Sequence, residues 1–492
     1  MSALDVVLLA RGAFGLVVGG MLAYMVYTRY DRDSRAMEDA QRRYQPIVDP
    51  MTMPLILVLL TALILAVPGI GMTPAYLLNL LPGIFLQISV YYLALLLLLP
   101  LLRQRISARA VAVLWILPNY LYVLCYRWTE LPMPALVLRA DGRALRIALY
   151  VWLAGFCAVL LWKIVSHLIF RRRVLLGARP VMDADVLARW QQAQADVSMK
   201  KPTYRLMIAP RAVTPVSVGL WRWTIRVLLP ERDYAPEELE LIFRHELIHI
   251  RHQDTRAKLF LALCTAMCWF NPLMWFSMRR CAEDLELSCD EQVLEDAAEP
   301  ERRQYAELLL TSAGDARGFT TCLSADAAAL RYRLKNVLHP AKRRTGALIV
   351  GLAFFAMIMT GGFAALAFDP VSARDAAFGG DPDGVTCASG YVTLRDGWNG
   401  KMENMQCLDP EGLKAYLAGL ECCRLTGNYG YITEGASLIV VFQREDNHFG
   451  VTVSDHMLSV NLLNGGNREN YYLYEPLDWD YVNAMLAVDT EK

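Results

Sequence analysis

The chain has 492 residues, of which 55% are hydrophobic, a mean hydropathy of +0.28 and a net charge of 0 at pH 7. That is too apolar for a soluble protein of this size, and the apolar residues gather in long runs, which excludes a simple soluble enzyme. With no excess of positive charge, direct nucleic-acid contact is not expected.

In chain order, six runs are long enough to cross a bilayer: about 4–27, 53–71, 84–102, 110–126, 147–170 and 346–368. The first has neither a basic n-region nor a small-residue cleavage site, so it reads as a retained anchor. Arg11 within it and Lys163 in the fifth run read as snorkelling to the interfaces. Basic clusters follow the first run (Arg29, Arg32, Arg35, Arg42, Arg43), the third (Arg103, Arg105) and the fifth (Arg171, Arg172, Arg173), and Lys342, Arg343 and Arg344 precede the last. All fall on one side if the N-terminus is outside, so residues 172–343 are expected in the cytoplasm of a bacterial-type cell and the C-terminus outside. The loop at 127–146, with Arg127, Arg139, Arg143 and Arg146 on the outer side, runs against this scheme.

The resulting division is a membrane domain of about five helices at 1–171, a cytoplasmic domain at 172–343, a last transmembrane helix at 344–368 and an outer domain at 369–492. The cytoplasmic domain carries His245-Glu246-Leu247-Ile248-His249. On a helix, residues four apart share a face, so both imidazoles address one ion while Glu246 reaches the water it binds. Leu241, Ile242, Phe243, Leu247, Ile248 and Ile250 form the apolar face of that helix, and Pro236-Glu237-Glu238 supplies a proline and acids where a helix start favours them.

A catalytic zinc needs three protein ligands and an open fourth position. The acidic stretch 282–291 offers Glu286, with Asp290 four residues on and positioned to orient a metal-bound imidazole. Glu283, Glu291 and Glu295 fit an ordinary acidic surface, Cys289 a small buried hydrophobe, and His252 is a weaker candidate ligand. A seventh apolar run at 257–278 lies between the histidines and Glu286. Were it to span, the ligands would be about 30 Å apart across the bilayer, so it is expected either to dip into or lie on the membrane as a hairpin, broken at Asn271-Pro272, or to form a buried helix pair.

Five blocks carry a resemblance: TPVSVGLW from Thr214, VLLP from Val227, HELIHIRHQD ending at Asp254, WFNPLMW from Trp269, and ELSCDE from Glu286. In this order, over about 120 residues, they resemble the cytoplasmic peptidase domain of the BlaR/MecR-type antirepressor family. The resemblance implies that His245, His249 and Glu286 hold one Zn2+ and that Glu246 is the catalytic base, the roles already chosen from the residues. Asp254, which closes the third block, and Asp290 are expected behind the ligands. The substrate it implies is a transcriptional repressor, or the chain itself.

From 369 onward, 8 Lys and Arg stand against 19 Asp and Glu, a net of −11 that suits an outward-facing tail. Strand-like runs at 437–442, 449–453, 457–462 and 471–474, with helices near 409–422 and 478–488, predict a small α+β domain. Outside the cytoplasm, Cys387, Cys407, Cys422 and Cys423 permit one or two disulfides of unreadable pairing. No S-x-x-K follows residue 369, so the drug-acylating serine of the best-known antirepressors is absent. Trp398 and Trp479 read as core, with a ligand cleft as the alternative.

The fold class expected is thus a multi-pass α-helical membrane protein with a mainly helical HExxH zinc-peptidase domain and a small C-terminal α+β domain. Its function is signal transduction: cleavage of a protein substrate when the outer domain meets an unknown ligand. A homodimer is compatible with this reading. The basic stretch 331–335 between catalytic helices and last span is either a coupling element or, preferentially, a solvated basic helix. The rival functions are a housekeeping membrane zinc protease, resembling the CAAX-prenyl and heat-shock types, and a non-enzymatic receptor with a structural zinc.

Overall fold

The computed structural model describes residues 3–35, 74–122, 134–197, 204–221, 223–314, 327–340, 343–396, 402–426, 436–444, 447–462 and 469–488. It is mostly helical, with a sheet-rich C-terminal region. Among the described residues, three helices are long and apolar enough to cross a membrane: α1 (Ala3–Arg35), α2 (Pro74–Arg105) and α4 (Gly142–Leu175). They coincide with the first, third and fifth runs. The second run, 53–71, lies outside the described residues.

Two of the expected spans take other forms. The run at 110–126 begins as a nine-residue helix, α3 (Ala108–Ile116), followed by a 3-10 turn at Leu117–Tyr122. Ser107 caps α3 two residues after α2 ends, accepting from the Ala110 amide, and Val111, Leu114 and Trp115 are buried among neighbouring helices. An all-round apolar helix is what both a lipid span and a protein core require, so the pattern alone does not separate them. The run at 346–368 supplies only a 13-residue helix, α11 (Ala347–Met359). A turn through Gly362 (φ +79°) follows, and Ala364–Ser372 is a strand, β6. Arg11 does not snorkel: it is buried and donates to the carbonyls of Ile358 and, at 2.7 Å, Gly361, satisfying the open C-terminal end of α11.

Helices α1 and α11 meet through Gly19 and Gly351, where a Cβ on either would lie 2.8 Å from the other's carbonyl oxygen. Gly351→Leu is therefore expected to force the pair apart and destabilise the protein by about 1–3 kcal/mol, measured by thermal unfolding in detergent. An unchanged transition would show that this close approach is dispensable.

The run at 257–278 does not pass from one side of the assembly to the other. It forms α7 (Asp254–Met267) and the start of α8 (Pro272–Val293), joined by a tight turn. Asn271 makes that turn: its side chain caps α8 by accepting from the Leu273 amide and donates to Ser89 Oγ on α2 at 2.8 Å. On the other side Trp152 of α4 donates to the Met267 carbonyl, and the Trp269 indole fills the notch left by Gly155. The hairpin is wedged between α2 and α4, so the histidines and Glu286 stay at its base.

Between α4 and α7 lies a four-stranded sheet ordered β2-β3-β5-β4 (Arg179–Pro180, Arg205–Ile208, Arg226–Leu229, Val216–Val218), with α5 (Ala184–Asp196) and α6 (Pro236–His252) against it. Two further helices, α9 (Glu299–Gly314) and α10 (Ala327–Leu338), pack behind α6 and α8.

The described tail strands β6, β7 (Thr386–Asp396), β8 (Met402–Cys407), β9 (Glu421–Leu425), β10 (Ala436–Arg444), β11 (Asn447–Ser454), β12 (Met457–Leu462), β13 (Glu469–Leu473) and β14 (Leu486–Val488) join β1 (Leu136–Arg139) in a ten-stranded sheet ordered β1-β6-β9-β13-β12-β11-β10-β7-β8-β14, with helices at Ala373–Phe378, Pro410–Gly419 and Trp479–Ala484. All four expected strand runs fall on its strands, and both expected helices are present but shorter, since 421–422 and 486–488 are strand. Strand β10 (Ala436–Arg444) shows why: Leu438, Val440 and Phe442 are buried while Val441 and Gln443 are half-buried, the period-two pattern of a sheet with one core face. The edge strand β1 (Leu136–Arg139) comes from the loop before α4 and pairs in parallel with β6, from Leu136↔Ala364 to Arg139↔Ala367. Arg146 binds Asp369 at 2.7 Å, and the Arg139 guanidinium lies over the Tyr474 ring. Cys387, Cys407, Cys422 and Cys423 are all free thiols. The adjacent Cys422 and Cys423 point to opposite faces of β9 (Glu421–Leu425), into two different clusters. Trp479 packs at the edge of the domain core and donates to Asp455; Trp398 is outside the described residues.

Candidate metal and active site

Helix α6 starts where its sequence asks it to, with Pro236 in the first turn and Glu238 accepting from the Ala235 amide at 3.1 Å. It stops at Gln253, which is left-handed (φ 60°) and turns the chain into α7. Its buried face presses Leu239, Ile242, Phe243 and Leu247 onto the four-stranded sheet. His245 and His249 stand on the adjoining face, directed toward α8.

The structure brings His245, His249 and Glu286 together. The two Nε2 atoms are 2.9 Å apart, with the rings perpendicular, and Glu286 Oε2 lies 3.4 Å from His249 Nε2 and 3.9 Å from His245 Nε2. Around a tetrahedral zinc with bonds of about 2.0–2.1 Å, neighbouring ligand atoms sit about 3.3 Å apart. The observed triangle brackets that spacing.

The hydrogen bonds behind the rings settle which nitrogens are available. His249 Nδ1 faces Asp254 Oδ2 at 2.5 Å. His245 Nδ1 faces the Tyr305 hydroxyl at 2.9 Å, and that hydroxyl donates onward to Asp290 Oδ1 at 2.7 Å. Each Nδ1–H therefore has an acceptor, which turns both Nε2 atoms toward one spot beside a carboxylate. Such an arrangement repels itself unless a cation sits between, and this is the fit expected of a metal site.

Electrostatics agree. Burial, helped by His249, pushes the His245 ring down to about 3, so it is neutral and able to donate a lone pair. Burial also opposes charge on His249, but Cys289, Glu286 and the bond to Asp254 outweigh it and raise that ring well above the usual histidine range. A proton held there occupies the place of a cation in an otherwise acidic pocket. Burial likewise acts against ionised Glu286, yet His249, Lys258 and Arg333 hold its carboxyl well below normal. Lys258 Nζ lies 3.2 Å from Glu286 Oε1.

Glu246 is buried beside this triangle. Burial and the nearby Glu286 raise its carboxyl, against the opposing pull of His249 and a hydrogen bond from Ser217 on β4. Asp254 and Asp290, expected behind the ligands, are both there: Asp254 touches its imidazole directly, whereas Asp290 acts through Tyr305, its Oδ1 being 3.7 Å from His245 Nδ1. His252 is not in the cluster. It turns to the other side of α8, beside Arg109, into a cavity of about 210 Å³. Cys289 is fully buried as expected of a small hydrophobe, and its Sγ contacts His249 Nδ1 and Asp254 at 3.3 Å, on the side away from the Nε2 atoms. Burial pushes its thiol up.

Three residues escaped sequence reasoning. Tyr305 was not singled out, Ser217 was seen only within a block, and Arg333 was placed on a solvated basic helix. That last expectation is overturned: Arg333 is 3% exposed and grips Asp290 with Nε and a terminal nitrogen, both at 2.7 Å. Its neighbour Tyr332 lies under the Arg103 guanidinium of α2, so α10 is a bridge between the site and the helix bundle.

The class to which the region holding this site is similar is a peptidase domain: residues 137–337 match the model of the BlaR1 peptidase M56 family. Among characterised relatives, the chain is 24% identical over 160 residues to the regulatory protein BlaR1 of Bacillus licheniformis, covering 32% of this chain and 26% of that protein. It is 23% identical over 165 residues to the methicillin resistance mecR1 proteins of Staphylococcus aureus and Staphylococcus epidermidis, covering 33% of this chain and 27% of theirs. The match thus spans about a quarter of the length of these relatives. The resemblance read from the five blocks is borne out over residues 137–337.

Proposed function

We propose that this chain is a membrane-resident zinc metalloendopeptidase that transduces a signal, with Glu246 as catalytic base and His245, His249 and Glu286 as metal ligands. The observation that carries the reading is the pair of Nε2 atoms 2.9 Å apart, turned to one spot beside Glu286, each with its Nδ1 already engaged. Zinc held there supplies Lewis acidity toward a carbonyl and a bound water acidified toward neutrality. The chain's own residues do the rest. Glu246 accepts the proton of the attacking water and returns it to the leaving amine, and its raised basicity suits that task. Ser217 holds the Glu246 carboxylate from β4, the last strand in its sheet, whose outer edge among the described residues offers backbone groups to an extended peptide. Asp254 and the Tyr305–Asp290–Arg333 chain keep both imidazoles in the Nδ1–H tautomer.

The substrate we propose is a protein: a transcriptional repressor or the chain itself, cut when the C-terminal domain changes state. Orientation follows the positive-inside rule, with the peptidase domain cytoplasmic and the tail outside. Two of the four arginines that ran against that rule, Arg146 and Arg139, are held by Asp369 and Tyr474 of the acidic tail, which supports placing them on its side. Of the expected limits 1–171, 172–343, 344–368 and 369–492, the last two shift: the C-terminal domain begins at β6, inside 344–368, and takes in β1 from the loop before α4. The first test is metal removal. Chelation of the purified full chain, or His245→Ala, is expected to abolish bound zinc and proteolysis together, read by elemental analysis and substrate cleavage. Full cleavage by a zinc-free protein would refute the proposal.

A further inference from the structure

The tip of the β4–β5 hairpin carries a feature that catalysis does not use. Trp221 and Trp223 stack with ring centroids 5.7 Å apart and planes within 6°, and Trp223 is 81% exposed. The tip is built to hold them. The Thr224 amide and hydroxyl both donate to the Trp221 carbonyl, at 2.7 and 2.9 Å, and Gly219 (φ +125°) lies so close to Thr224 that a Cβ would meet its carbonyl oxygen at 2.4 Å. A turn that presents stacked indoles outward points to a partner surface.

The level of this tip along the helix bundle identifies the partner. Helix α8 runs beside α2 in the same direction: Asn271 meets Ser89, and Asp284, thirteen residues on, meets Arg103 at 2.9 Å. Over that stretch each helix advances about 20 Å. Arg103 and Arg105 end the apolar stretch Leu81–Arg105 and mark the plane where a bilayer would give way to water. Just past that plane Glu286 on α8 meets Lys258 on α7. Two residues further, Arg256 lies over the Trp221 ring at 5.5 Å and donates to the Leu220 carbonyl. The indoles thus sit on the order of 5–10 Å beyond Arg103. That is the headgroup layer, where tryptophan is enriched because its ring is apolar and its N–H is not. Arg256 and Lys258 beside them carry the charge that anionic headgroups attract.

We propose that the Trp221–Trp223 tip inserts at headgroup level and anchors the β4–β5 hairpin, and with it the rim of the catalytic site, to the lipid surface. This rests on reading α1, α2 and α4 as membrane spans. Its consequence is that peptides are cut close to the membrane, because Ser217 on the same hairpin holds Glu246.

The test uses the full chain in nanodiscs of phosphatidylglycerol and phosphatidylethanolamine, comparing wild type with Trp223→Phe and with Trp162→Phe. Trp162, 56% exposed on α4, serves as the reference for a residue within a span. The emission lost in each variant is the contribution of its indole. For Trp223, lipid carrying a shallow doxyl group is expected to quench most of that contribution, and aqueous iodide little of it. If iodide quenches Trp223 while doxyl lipid quenches only Trp162, the anchor is refuted and the indoles face water. If doxyl lipid quenches neither, the membrane reading itself has failed and the anchor falls with it.

Discussion

Glu246→Gln is expected to leave zinc bound at full stoichiometry and to lower peptide cleavage by a factor of about 10²–10⁴, the usual contribution of a positioned acid–base group. The substitution keeps shape and removes only the ability to take a proton. Glu246 is not one of the three groups whose donor atoms converge, so its loss leaves the metal cage intact. Ser217 can still donate to the amide oxygen, so orientation is retained as well. The outcome separates a peptidase from a receptor that uses zinc as a brace, because a brace loses nothing when Glu246 is neutralised. Cleavage within tenfold of wild type, with zinc in place, would remove Glu246 from the base role. The inactive variant, still able to hold its substrate, is also the natural trap for identifying the protein that is cut.

Arg333→Ala is expected to cost about 3–5 kcal/mol of stability, the range seen when one partner of a buried ion pair is removed and the other left uncompensated. Asp290, 1% exposed, would lose both bonds of the guanidinium fork. The damage should travel further, because Asp290 fixes Tyr305 and Tyr305 fixes His245. Loss of such outer support typically weakens metal affinity by about 10–100-fold. Arg333→Lys, which restores a charge without the planar fork, should recover only part of either loss. Chemical unfolding in detergent and zinc titration read the two effects separately. A variant with wild-type stability and zinc affinity would show that α10 does not support the site.

Much of the site was legible because it is local. The spacing of His245 and His249, the proline and acids that open α6, and the E-x-x-x-D pair at Glu286 and Asp290 each encode their geometry within one helix. Choosing Glu286 as the third ligand required in turn that the intervening apolar run not span, and the α7–α8 hairpin has that form. What escaped is non-local. Tyr305 reaches His245 across 60 residues, and a single tyrosine in a charged helix carries no spacing signal. Arg333 was visible as a basic residue, but only the fold shows that it turns inward.

The fold divided in the same way. Strands of the tail were readable from alternation, since they have one buried face. Strand β1, four residues with an almost fully exposed pattern, was not, because its pairing partner is supplied by a distant part of the chain. The runs at 110–126 and 346–368 misled because apolarity does not state whether protein or lipid surrounds a helix, and a glycine turn at 361–362 ends the second one early.

The most direct measurement is the zinc content of the purified full chain beside that of Glu286→Ala, His249→Ala and Glu246→Gln. One zinc per chain is expected in the wild type and in Glu246→Gln, with little or none in the other two. A full equivalent of zinc in Glu286→Ala would contradict joint ligation by the two imzidazole-bearing residues of α6 and the carboxylate of α8.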